Sequence, residues 1–155
     1  MKLPQPSPEA LAQSGQLVDR LRSLIEAQGG WISFATYMAE ALYTPGLGYY
    51  SGGAAKLGKD GDFTTAPEIS PLFGATLAHV AAAIMAQTAP RILEFGAGTG
   101  KLAFDILTEA ASAGIPIEQY AIVELSGELR ARQQALLGNF PQVRWLDALP
   151  ESFDG

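Results

Sequence analysis

Three acids and three glycines stand out in this chain by type and spacing. Glu94 comes two residues ahead of Gly96, Gly98 and Gly100 in the stretch ILEFGAGTG at 92–100, Glu124 follows the apolar run AIV, and Asp147 follows VRWL. A glycine-rich turn after an apolar run lets a ligand approach the backbone, because no Cβ stands in the way. Carboxylates beside such a turn accept hydrogen bonds from hydroxyls and amines and repel anions. A second stretch, GDFTTAPEIS at 61–70, adds Asp62, Thr64 and Glu68, with Phe63 placed to exclude water.

These residues can act together only if the chain brings them to one edge. From Arg91 onward the pattern alternates: strand 91–95, helix 100–113 stopped by Gly114, strand 119–124, helix 126–137, strand 143–146. Strand and helix in alternation with short connections predict a parallel sheet, which places Glu94, Glu124 and Asp147 at successive carboxyl ends of its strands. Before it, residues 1–90 read as a helical and loop region, with a Pro-punctuated leader and helices near 9–28, 34–43 and 71–89. Ser33 and Ser70 are the expected N-caps of the later two helices, and Pro71 suits a first helical position. Residues 91–155 are the expected second region. Tyr49 and Tyr50 read as loop-packing aromatics, and His79 as a partly buried, satisfied helix side chain.

Composition narrows the partners. At 155 residues, 48% of them hydrophobic, the chain has the material for a substantial core. Ten Lys plus Arg against sixteen Asp plus Glu, with the cations scattered, argue against nucleic acid as a partner. The absence of cysteine excludes disulfides, Cys-ligated zinc and a thiol nucleophile, and a single histidine excludes a His-rich metal site, so no metal is expected. The apolar run Ala75–Ala86 is too short to cross a bilayer. With no export signal in MKLPQPSPEA, the expected location is cytoplasmic. A protein substrate and a second copy of the chain remain as partners.

The glycine spacing bears on the ligand. A dinucleotide fingerprint reads G-x-G-x-x-G, whereas this chain reads G-x-G-x-G with an acid two residues ahead. Pyrophosphate avoids a nearby carboxylate, while S-adenosylmethionine brings a sulfonium and an ammonium against a single carboxylate. Glu124 is placed to accept both ribose hydroxyls, a role an acid also plays in NAD enzymes. Asp147 is placed to accept from an adenine amino group. A nicotinamide-dependent oxidoreductase therefore stays open as an alternative, as does a non-catalytic assembly or interaction protein on the same fold.

EFGAGTG at 94–100 resembles the first motif of class I S-adenosylmethionine-dependent methyltransferases. GYY at 48–50, GDFTTAPEIS at 61–70 and Phe73-Gly74 narrow the resemblance to the MidA family, which includes a mitochondrial complex I assembly factor with protein-arginine methyltransferase activity. The resemblance runs from about Gly29 to Gly155, and GDFTTAPEIS is its specific part. It implies a Rossmann-like fold, S-adenosyl-L-methionine as cofactor, and methyl transfer to arginine linked to respiratory complex assembly. Glu94, Gly96 and Gly98 then touch the methionyl part, Glu124 the ribose and Asp147 the adenine. Thr64, Ala97, Gly100, Leu125 and Ala148 complete the cofactor-binding set. Asp62 and Glu68 are the catalytic candidates, since a guanidinium acceptor needs carboxylates to orient it and help remove a tightly held proton. Thr65 and Glu68 also stand at capping-box spacing, which explains the same residues as a helix start.

The chain carries strands 1–3 of that fold only, so the sheet is expected to be incomplete. A fourth strand, expected beside the first, would begin about where the sequence ends. The expectation is an amino-terminal portion that leaves the edge of strand 91–95 to be covered in some other way and does not turn over alone.

Overall fold

The computed structural model describes residues 5–52 and 63–155. The chain divides into two compact units, Met1–Gly53 and Ala54–Gly155.

The first unit holds α1 (Pro8–Ala27) and α2 (Phe34–Tyr43). Both begin on a serine whose hydroxyl satisfies an otherwise unpaired amide: Ser7 Oγ accepts from the Ala10 N–H at 3.2 Å, and Ser33 Oγ from the Thr36 N–H at 3.1 Å. Arg20 on α1 pairs with Glu40 on α2 at 2.6 Å. Gln13 Nε2 donates to the Leu47 carbonyl at 3.1 Å and ties the following loop to α1. In that loop the Tyr50 ring stacks on Tyr43 at 5.8 Å and meets the edge of Tyr49 at 4.9 Å. The tyrosines therefore pack within the loop, as their neighbours in sequence suggest.

The second unit runs α3 (Ala66–Ile69), α4 (Pro71–Met85), β1 (Arg91–Phe95), α5 (Lys101–Ala113), β2 (Gln119–Val123), α6 (Gly127–Leu137) and β3 (Val143–Leu146). The strands form a parallel sheet in the order β1-β2-β3. Phe95 lies opposite Val123, and Val123 opposite Leu146. The register brings the carboxyl ends of the three strands level, so Glu124 and Asp147 leave the sheet on the same edge as Glu94. The core lies between this sheet and its helices, with Ala78, Ala103, Ile106, Leu107, Tyr120, Ile122 and Leu137 all buried.

Helix α4 packs against α5. The closest approach is at Gly74, where an added Cβ would sit 2.5 Å from Asp105 Cβ. His79 on the same helix differs from the sequence expectation: it is exposed, with Nε2 2.9 Å from Glu109 Oε1 on α5. Its helix face carries it past the packed seam made by Gly74 and Ala78 to the rim.

Among the described residues β1 pairs with β2 alone and is an edge strand. Phe153 and Gly155 lie against it in a cavity shared with Ala81, Ile84, Met85, Arg91, Ile92 and Leu93. The Ala89 N–H donates to Asp154 Oδ1 at 3.4 Å. The last residues thus cover part of an edge that would otherwise expose apolar side chains and unpaired backbone groups.

Gly74→Ala tests the α4–α5 seam. In an exposed helix the change stabilises by ~1 kcal/mol. Here the methyl meets Asp105 Cβ, so the expected result is a loss of about 1–3 kcal/mol in urea unfolding.

Candidate functional site

The turn from β1 into α5 is left-handed at each glycine: φ is 61° at Gly96, 56° at Gly98 and 86° at Gly100. A side chain at any of the three would be strained. Gly96 is also open, since an added Cβ would meet nothing within 4 Å, whereas Gly100 is pressed against Gln133 at 3.3 Å. The turn walls a cavity of about 220 Å³ lined by Glu68, Glu94, Gly96, Ala97, Gly98, Thr99, Lys101 and Leu102, with Thr65 and Pro67 closing one side.

Glu94 is the acid at the base of this cavity. It accepts from the buried Tyr120 hydroxyl at 2.8 Å. Burial raises its carboxyl above the usual carboxylate range; the Tyr120 hydrogen bond opposes that rise, and the negative charge of Glu124 adds to it. The Tyr120 hydroxyl is itself raised by burial and by facing Glu94, so it stays a donor.

Glu68 enters from α3. Its Oε1 accepts from Thr99 Oγ1 at 2.5 Å, which fastens α3 to the glycine turn. Capping-box spacing suggested that Thr65 and Glu68 serve the helix start, but the Thr65 side chain makes no cap hydrogen bond. The Glu68 side chain is committed to the Thr99 hydroxyl across the cavity.

Glu124 does not line this cavity. It is buried behind the turn, accepting from the Ser126 N–H at 2.8 Å and from Gln133 Nε2 at 3.0 Å. Gln133 also donates to the Gly98 carbonyl at 2.9 Å and accepts from Trp145 Nε1 at 3.0 Å. Asp147 stands further out, its side chain 88% exposed and paired with Arg130 at 2.5 Å. Leu125 and Ala148 are exposed beside these acids, and Thr64 is exposed next to Thr65. Asp62 lies outside the described residues. Of the residues singled out from sequence, Glu68, Glu94, Gly96, Ala97 and Gly98 therefore share one cavity. Gly100 caps α5 just behind it, and Glu124 and Asp147 occupy the adjacent strand tips, roughly 5 Å apart per strand. Sequence reading missed Thr99, Tyr120, Gln133 and Trp145. One signal was present for Gln133: it stands four residues before Leu137, on the buried face of α6.

The raised Glu94 carboxyl makes a signed prediction. Its proton stabilises the fold fully below the ordinary carboxylate value, and that contribution is lost as pH rises through the raised one. Glu94→Gln should therefore raise the melting temperature at neutral pH, with the gain shrinking in acid. A cationic ligand competes with the same proton, so its affinity should fall as pH drops through that range, and the glutamine variant should lose this dependence in calorimetry.

Comparison with known proteins agrees with this geometry. A family model described as "Putative S-adenosyl-L-methionine-dependent methyltransferase" matches residues 73–155. "Protein arginine methyltransferase NDUFAF7, mitochondrial" of Mus musculus is 37% identical over 136 residues, covering 81% of this chain and 31% of that protein. Its Danio rerio counterpart is 38% identical over 139 residues, covering 82% of this chain and 32% of that protein. The chain thus spans about a third of the length of these curated relatives. A Burkholderia thailandensis protein, solved by crystallography with S-adenosyl-homocysteine bound, superimposes with a TM-score of 0.82 at 54% identity over 98% of this chain and 42% of that one. The curated relatives also correct the expected cytoplasmic location, since they are named as mitochondrial. The missing export signal in MKLPQPSPEA bears on secretion alone and carries no further cellular address. On sequence and fold together, the chain belongs to the MidA family of class I S-adenosylmethionine-dependent methyltransferases.

Proposed function

We propose that this chain forms the cofactor-holding part of an S-adenosylmethionine-dependent methyltransferase that acts on arginine in a protein and serves the assembly of a respiratory complex. The observation that carries the cofactor reading is the cavity at the glycine turn. It offers open backbone at Gly96, apolar walls at Ala97 and Leu102, and carboxylates at Glu94 and Glu68. Its volume of about 220 Å³ is below the roughly 300–1,000 Å³ of a pocket for a whole drug-sized ligand, so it suits the amino-acid end of the cofactor. The ribose and adenine then extend along the strand tips, past Glu124, Leu125, Asp147 and Ala148. The arginine acceptor is supported by the names of the relatives, and the respiratory role by family resemblance.

The bound group would supply a methyl carbon already activated on a sulfonium, which leaves the protein mainly to orient and desolvate. Gly96, Ala97, Gly98 and Gly100 shape the backbone against the methionyl part, and Glu94 balances its positive charge. The Glu124 oxygens each accept one hydrogen bond from the protein, and each carries a second lone pair for a ribose hydroxyl. Asp147 keeps Arg130 on Oδ1 while facing the adenine edge. Thr64 is the exposed neighbour of Thr65. Glu68, with Asp62 from the preceding stretch, orients the guanidinium and takes its proton as the new N–C bond forms and the C–S bond breaks.

Calorimetry tests this reading. S-Adenosylmethionine and S-adenosylhomocysteine should both bind, NAD should not, and Gly96→Val should abolish binding by forcing a β-branched residue into the left-handed region. Binding of NAD alone would refute it. The acceptor is tested on the protein loaded with S-adenosylhomocysteine: an arginine peptide should bind more tightly than its lysine counterpart, and Glu68→Gln should erase the difference. Equal binding of the two peptides would remove arginine from the assignment.

A further inference from the structure

We propose that Lys101 recognises the carboxylate at the amino-acid end of the ligand. This rests on the reading of the cavity as the seat of S-adenosylmethionine and adds a binding residue to it. The charged residues that line the cavity are Glu68, Glu94 and Lys101. The amino-acid end of the ligand carries an ammonium and a carboxylate, close to the sulfonium. Glu94 suits the cationic centres, and the carboxylate is left facing acids unless a cation answers it. Lys101 is the one cation among the described residues lining the cavity.

Position and support favour the same role. Lys101 is the first residue of α5, a helix of 13 residues whose amino end carries partial positive charge. Its backbone N–H turns to Thr99 Oγ1 at 3.3 Å, and Thr99 lines the same cavity. Its ammonium is bonded to Asp105, one turn further along α5. The Asp105 side chain is 6% exposed, and its Cβ is wedged beside Gly74 of α4. A fixed, buried partner holds the ammonium in place. An ammonium has three donors, so this bond leaves capacity for a ligand carboxylate. Asp105 is thus a positioning residue for Lys101.

A purely structural helix pair at this spacing would give the same local geometry, so the test separates ligands as well as variants. Calorimetry compares S-adenosylhomocysteine with its decarboxylated analogue, which keeps the ammonium and lacks only the carboxylate. The native protein should favour S-adenosylhomocysteine by roughly tenfold or more, the scale of a charge-assisted hydrogen bond. Lys101→Met should bring its affinity down to that of the analogue and leave the analogue unchanged, and Lys101→Arg should restore the preference. Because Lys101→Met leaves the Asp105 carboxylate buried without its partner, the double variant Lys101→Met/Asp105→Asn serves as the folded control and should also show no preference. Equal affinity of the native protein for both ligands, or equal losses for both in the variants, would overturn the assignment. If the native protein bound neither ligand, the cofactor reading would fail and this inference with it.

Discussion

The order of the site rests on one buried amide. Gln133 is fully enclosed, and its side chain makes three contacts that no apolar residue could make together. It donates to the Gly98 carbonyl and to Glu124, and it accepts from the Trp145 indole. These partners belong to the first glycine turn, the end of β2 and the strand β3. An amide offers donors on one side and an acceptor on the other, so it can fasten a carbonyl, a carboxylate and an N–H at once. Every member is satisfied, which turns a costly buried polar group into a specifying one. The glycine turn is thereby fixed from behind, and its cavity side is left clear.

The electrostatics of the strand tips follow from that arrangement. Glu94 lies on β1 and Glu124 just past the end of β2, and the Glu124 charge adds to the cost of ionising Glu94. Tyr120 offsets part of this by donating to Glu94 from within the core. Holding a buried carboxylate near a second one costs stability. The buried face of β2, which supplies Tyr120 and Ile122, thus packs the core and holds the Glu94 carboxylate with the same strand.

The segment ahead of the sheet contributes to the cavity through a short connection. Pro67 and Glu68 of α3 reach the glycine turn, and α4 immediately after it locks onto α5 at Gly74. The second half of GDFTTAPEIS therefore supports the cavity directly, through the Glu68–Thr99 bond, while Ser70 caps α4.

Local patterns in the sequence were enough to place the strands of the sheet and the helices between them. Apolar runs of strand length, serine caps and glycine turns are decided by near neighbours along the chain. They were also enough to bring Glu94, Gly96 and Gly98 to one turn, because that turn is itself a local structure. The hydroxyl that meets Glu68, the phenol that meets Glu94 and the amide that meets the Gly98 carbonyl are contacts across 31, 26 and 35 positions of sequence. Which side chain fills such a contact depends on the register of parallel strands and the packing of helices over them. That was decided only when the tertiary structure brought distant donors and acceptors within hydrogen-bonding reach.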